Sequence, residues 1–81
     1  MDELIQDELS RATEKWPAWP VDPIHAAAVL SEEVGELVQA ANDFVYSGGS
    51  PDRMQEEAVQ VAAMALRFLD GMAKYKRRKG Y

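Results

Sequence analysis

Two similar groups of acidic residues are the part of this sequence whose types and spacing best suit chemistry. The first has the pattern EExxE and the second, twenty-four residues later, has the pattern EExxQ. Their members are Glu32, Glu33 and Glu36, and then Glu56, Glu57 and Gln60. Carboxylates from two facing helices are a common way to hold a divalent cation inside a helical bundle. The repeat therefore predicts a cation site between two similar helices.

One glutamate of each group is displaced from the polar side of its helix. At about 100° per residue, Glu33 lies on the apolar side of its helix, and Glu57 is displaced in the same way. A plain solvated acidic face is the alternative interpretation of both groups. It would not place an acid on the apolar side, where an unpaired carboxylate is costly unless it is neutralised, paired or bound to a cation.

Basic partners for these two glutamates are scarce. The second predicted helix contains no lysine or arginine, and Arg53 and Arg67 of the third are expected nearer its polar side. We therefore expect a bound cation, with Glu36 and Gln60 completing the set of oxygens and with Mg²⁺ or Mn²⁺ as the metal. An iron–oxygen site is disfavoured because it needs Glu-x-x-His pairs, and the only histidine, His25, is not three residues after a glutamate.

Three helices are predicted to position these residues, and no strand is. Helical periodicity and start signals place them at about 2–15, 23–46 and 51–75, with a basic tail at 76–81, in one domain covering 1–81. Three prolines interrupt the chain after the first helix, and Ser-Gly-Gly-Ser-Pro separates the other two. The expected fold is all-α: an antiparallel helical hairpin with a short N-terminal helix.

Apolar residues spaced four and three apart form a seam on each helix of the hairpin, and we expect both seams to be core. The seams are Leu30, Val34, Leu37, Ala41 and Phe44, and Met54, Ala58, Val61, Ala65, Phe68 and Met72. The third helix is apolar on nearly all sides between Ala58 and Leu66, and 81 residues bury too little surface for a robust monomer. A homo-dimer or homo-tetramer built as a four-helix-type bundle is therefore predicted.

Bulk composition excludes several classes of function. A net charge of −5 disfavours stable nucleic-acid binding, and the absence of cysteine excludes disulfides and zinc–thiolate sites. No apolar run is long enough to cross a membrane, and the N-terminus does not resemble a signal peptide. We expect a cytoplasmic protein that does not bind membranes.

These motifs resemble those of the MazG-like all-α nucleoside triphosphate pyrophosphohydrolases, whose helical hairpins carry EExxE and then EExxD. The resemblance covers roughly residues 24–75, and its most specific stretch is LSEEVGEL. It implies Mg²⁺-dependent hydrolysis of a nucleoside triphosphate to a monophosphate and pyrophosphate, an activity that suits a house-cleaning enzyme. It also implies that Glu33, Glu36 and Glu57 are metal ligands, and that the family's fourth ligand, an aspartate, is replaced by Gln60.

The resemblance also suggests roles for other residues. Glu32 or Glu56, if free of metal, is the candidate general base. Trp16 and Trp19, which a rigid proline-rich loop holds between helices, are candidates for stacking on the nucleotide base, with capping of the bundle end as the alternative. Lys74 is a candidate for contacting the phosphates. Because a glutamine supplies neither negative charge nor a proton acceptor of carboxylate strength, the alternative is a catalytically impaired helical oligomer that binds a nucleotide or a protein partner.

Overall fold

The computed structural model describes residues 2–80, and all of its regular structure is helical. The helices are α1 (Asp2–Lys15), α2 (Pro23–Tyr46) and α3 (Pro51–Asp70), followed by a short 3₁₀ helix at Met72–Lys74. No strand is present in this range, so the predicted all-α class is confirmed. Met1 and Tyr81, which belong to the predicted domain and tail, lie outside the described residues.

The starts of α2 and α3 follow from their capping residues. Asp22 precedes α2, and its Oδ1 accepts a hydrogen bond of 2.9 Å from the backbone N–H of Ile24. Ser50 precedes α3, and its Oγ accepts one of 3.0 Å from the N–H of Asp52. In each case a proline follows the cap, where its missing N–H has no cost. Gly48, with φ of 70°, reverses the chain between the two helices.

The third helix ends at Asp70, earlier than the sequence predicts. Its last turn is closed by the N–H of Gly71, which donates to Arg67 O and Phe68 O. The chain then folds back so that the Tyr75 hydroxyl donates to Phe68 O at 2.7 Å. A Cβ on residue 71 would lie 2.8 Å from that hydroxyl oxygen, so the return depends on glycine. The prediction of helix to residue 75 is wrong because Gly71 caps α3 and the contact of Tyr75 with Phe68 turns the chain back at that point.

The central element is α3, which packs against α1 on one side and against α2 on another. The buried cluster between them is small and consists of Ala12, Ala63 and Met64, surrounded by partly buried Leu9, Trp19, Val29 and Leu30. Among the described residues no large side chain is fully buried. The helices thus enclose a thin core, and most apolar side chains lie at its edge.

The prediction that both apolar seams are core is only partly correct for the isolated chain, because Leu30 and Leu37 are half-buried but other seam residues are exposed. Val34 remains 42% exposed, Phe44 45% and Met72 59%, whereas the residues buried on α2 are Ala26 and Ala40. The side of α2 that faces α3 is therefore rotated away from Val34, towards Glu33 and Ala40. This rotation brings the displaced glutamates to the contact between the two helices.

No helix in residues 2–80 has the length and apolar character that crossing a membrane requires.

Candidate metal centre

Three carboxylates meet where α2 packs on α3. Glu33 and Glu36 come from α2 and Glu57 from α3, and one oxygen of each lies within 4.8 Å of the others. Glu33 and Glu57 are half-buried, and Glu36 is exposed. The predicted inward displacement of Glu33 and Glu57 is therefore what the helix packing produces. Hard oxygen donors in such a group suit Mg²⁺ or Mn²⁺.

Burial and mutual repulsion make this cluster costly to charge. Burial raises the pKa of Glu33, and the charge of Glu36 and a hydrogen bond with it raise that pKa further. Burial also raises the pKa of Glu57, again with help from Glu36, while the charge of Arg53 opposes the rise. A positive charge placed among the three oxygens would relieve this repulsion.

Basic side chains around the cluster form ion pairs with other carboxylates. Arg53 Nη1 lies 2.6 Å from Asp43 Oδ2, and Arg11 Nη2 lies 2.6 Å from Glu8 Oε2. Across residues 2–80, no arginine or lysine forms an ion pair with Glu33 or Glu57. Three neighbouring carboxylates without a basic partner are the donor set that a divalent cation fits.

Gln60 bridges the two half-buried carboxylates. In the orientation of its amide that satisfies both polar atoms, Nε2 donates to Glu33 Oε2 at 3.0 Å and to Glu57 Oε2 at 3.3 Å. The fourth position of the predicted ligand set thus lies at the cluster. In this orientation it acts as a hydrogen-bond donor to the carboxylates, and its carbonyl oxygen would face a cation only after the amide turned over.

A cavity of about 260 Å³ opens beside the cluster. Glu33 and Gln60 line one part of it, and Trp16 and Trp19 line another. The structure therefore brings both predicted base-stacking residues to the same cavity as two of the predicted ligands. Trp16 is 63% exposed, and Trp19 is half-buried.

The remaining predicted site residues lie farther out. Glu32 and Glu56 are exposed neighbours of the cluster, and Glu56 lines a wider groove between α1 and α3 together with Gln60. Lys74 follows the far end of α3, and the helix from Glu57 to its last residue, Asp70, is already about 20 Å long. A single chain therefore does not bring Lys74 to the three carboxylates.

Arg67 is the residue of this region whose predicted position is wrong. It was expected near the polar side of α3, but it is buried, with 8% of its surface exposed, and lines the cavity. Its position at i+4 from Ala63 and i+7 from Gln60 puts it on the side of α3 that α1 covers. The register of Arg67 with Ala63, one turn earlier on an otherwise apolar part of the helix, was the signal available in the sequence.

Comparisons of the chain with protein-family models, with curated proteins and with solved structures found no match.

Proposed function

We propose that this protein is a Mg²⁺-dependent nucleoside triphosphate pyrophosphohydrolase that releases a nucleoside monophosphate and pyrophosphate. The observation that supports it best is the group of three carboxylates, within 4.8 Å of one another and without a basic partner. The adjoining cavity with its two tryptophans has the chemistry for a flat heterocyclic base. The substrate class favours the cytoplasm as the site of activity.

Each group of residues has a task in this reaction. Glu33, Glu36 and Glu57 would hold the cation, which when bound supplies charge neutralisation at the phosphates and a more acidic water. Glu32 or Glu56, both exposed beside the cluster, is the candidate base that takes a proton from the attacking water. The cavity would orient the nucleoside, so that the triphosphate extends towards the carboxylates.

A second candidate function is favoured by the hydrogen bonds of Gln60. Its amide ties Glu33 to Glu57 without any cation, which stabilises a metal-free site. Under this alternative the protein keeps the cavity as a nucleotide-binding or protein-interaction module and has little or no hydrolytic activity.

We also propose that two copies pair to form a four-helix bundle. The chain exposes 6134 Å², whereas a folded monomer of 9.1 kDa should expose about 4,900 Å². The excess of about 1,200 Å² exceeds the roughly 800 Å² that each partner buries in a standard interface. The radius of gyration is 14.6 Å, compared with about 12 Å for a compact domain of this length.

The surface suited to this pairing lies on the hairpin. An uncharged stripe with spacings of four, three and four runs along each helix, roughly 100° from the glutamates that face the neighbouring helix. The stripes are Val34, Val38, Ala41 and Val45 on α2, and Ala58, Ala62, Ala65 and Leu69 on α3. Val38, Val45 and Leu69 are each more than half exposed. Such 4–3 spacing suits packing against another pair of helices, and a second copy supplies one.

The experiment is pyrophosphate release from a panel of ribo- and deoxyribonucleoside triphosphates, with Mg²⁺ and with Mn²⁺. Release that is abolished by EDTA and by Glu33→Gln is the expected result. Nucleotide binding without release, at high protein concentration and with either metal, would favour the second candidate. Absence of both binding and release would refute both candidates.

A further inference from the structure

Arg67 is a buried cation whose partners are main-chain oxygens. Its Nη2 donates to Trp16 O and, at 3.5 Å, to Ala18 O, and its Nη1 donates at 3.5 Å to Ala12 O. The Cζ atom lies 4.8 Å from the centre of the Trp19 ring. Within residues 2–80 it forms no ion pair with a carboxylate. One side chain of α3 therefore holds the end of α1 and the loop that follows it.

The composition of that loop explains why an arginine is needed there. Pro17, Pro20 and Pro23 have no N–H, so residues 16–23 contain more backbone acceptors than donors. The last carbonyls of α1 also lack helical partners and carry partial negative charge. Arginine supplies five donors in a rigid fork. The loop conformation consequently depends on α3 through this residue.

The two tryptophans of the loop are held differently. Trp19 is fixed on two sides, because Arg67 lies over its ring and its Nε1 donates to Tyr75 Oη at 2.9 Å. Arg67 contacts Trp16 through its main-chain oxygen alone; the residue is 63% exposed and lines the cavity, and Lys15 Nζ lies 5.6 Å from the centre of its ring. Because Trp16 is exposed and lines the cavity, its indole is the one available to a ligand there, whereas Trp19 belongs to the supporting structure.

We propose that Arg67 is a positioning residue that fixes the loop so that Trp16 presents its indole to the planar base of the ligand. The ligand half of this proposal rests on the proposed nucleotide function. The positioning half concerns the ligand-free protein and stands independently.

The positioning half is tested by the fluorescence anisotropy of Trp16 in a Trp19→Phe background, without nucleotide. Arg67→Met should lower the anisotropy and shift the emission, and Arg67→Lys, which keeps the charge but has fewer donors, should give an intermediate shift. Arg78→Met, an exposed arginine of the tail, is the matched control and should change neither. Circular dichroism shows whether each variant keeps its helices. If Arg67→Met does not fold, the anisotropy of Arg67→Lys is used as the test instead. A folded Arg67→Met, or failing that Arg67→Lys, with the anisotropy of the unsubstituted background would overturn the proposal.

The ligand half is tested with adenosine, guanosine, cytidine and uridine monophosphates in EDTA, alongside Mn²⁺ binding without nucleotide. Arg67→Met should weaken nucleotide binding about tenfold through loss of orientation and leave Mn²⁺ affinity within about twofold. A parallel loss of both affinities would indicate general destabilisation and refute a positioning role. If no monophosphate binds the unsubstituted protein while the anisotropy still depends on Arg67, the ligand half fails and the positioning half survives, whereas the proposed hydrolysis is decided separately by pyrophosphate release with metal.

Discussion

Replacing Glu33 by glutamine should have two opposite effects on stability. The substitution keeps the size of the side chain and an oxygen that can accept the hydrogen bond from Gln60. It removes one of the three charges of the cluster. We expect the metal-free protein to become more stable, and the stabilisation by metal to disappear.

The structure sets the scale of both effects. Two carboxylate charges at 4.8 Å, the largest separation within the cluster, repel by about 0.9 kcal/mol in bulk water and by about 3.5 kcal/mol at an effective dielectric constant of about 20. Because Glu36 is exposed, the lower end applies, and losing two of the three repulsions should stabilise the metal-free protein by about 2 kcal/mol. For a domain of this size that raises the thermal midpoint by roughly 10 °C.

Metal binding should stabilise the unsubstituted protein by a comparable amount. A cation present at 100 times its dissociation constant contributes about 2.7 kcal/mol, or a rise of roughly 10–20 °C in the midpoint. With Glu33→Gln the rise should be largely lost, since the remaining donors carry two charges. The order of stability of the two proteins should therefore reverse when Mn²⁺ is added.

Thermal unfolding followed by circular dichroism, in EDTA and in a Mn²⁺ titration, measures both effects. Glu32→Gln is the matched control, because Glu32 is exposed, precedes Glu33 and lies outside the cluster. It should leave the Mn²⁺-dependent rise intact. If Glu33→Gln lowers the midpoint in EDTA and retains the rise with Mn²⁺, the cluster is neither repulsive nor a metal site, and the reasoning fails.

Three further predictions concern the same surfaces. Because the pKa of Glu33 and of Glu57 is raised in the folded protein, protonation of these two groups favours folding. Their contribution to the free energy of unfolding is fully present below the ordinary pKa of 4.5 and is lost as pH rises through the folded-state pKa. Metal-free stability should therefore increase as pH falls from 7 towards 5, and an increase that persists unchanged in saturating Mn²⁺ would contradict this origin. Gln60→Asp should raise Mn²⁺ affinity about tenfold and lower metal-free stability, as calorimetry and thermal unfolding can show; unchanged affinity would exclude position 60 as a ligand. Val38→Glu should halve the sedimentation mass by placing a charge in the proposed dimer face, whereas Gln39→Glu, on the polar side, should leave the mass unchanged.

The sequence predicted those parts of the fold that depend on neighbouring residues. The starts of α2 and α3 are set by Asp22 and Ser50 with the prolines that follow, and the structure contains both caps. The end of α3 could not be predicted in this way. It depends on Tyr75, which folds back over Gly71 and donates a hydrogen bond to Phe68 O. Tyr75 also accepts a hydrogen bond from Trp19, which is 56 positions away in the sequence.

The candidate site was predictable to a similar extent. Helical angles place Glu33 and Glu57 on facing sides without knowledge of the third partner, because only α2 and α3 are involved. The orientation of Arg67 was missed because it depends on which side of α3 is covered by α1. An arginine surrounded by carbonyl oxygens also differs from one paired with a carboxylate, and neither the spacing nor the charge of the sequence distinguishes the two.

Gln60 affects both the metal-free and the metal-bound state of the candidate metal centre. Its N–H groups stabilise the metal-free cluster through hydrogen bonds to Glu33 and Glu57, and its lack of charge weakens attraction for a cation. Both effects lower metal affinity relative to an aspartate, because affinity is the free-energy difference between the two states. The same amide can nevertheless turn and offer its carbonyl oxygen to a cation, at the cost of two hydrogen bonds. The proposed activity should consequently require a higher metal concentration than it would with aspartate at position 60, and the metal-free protein should keep its fold.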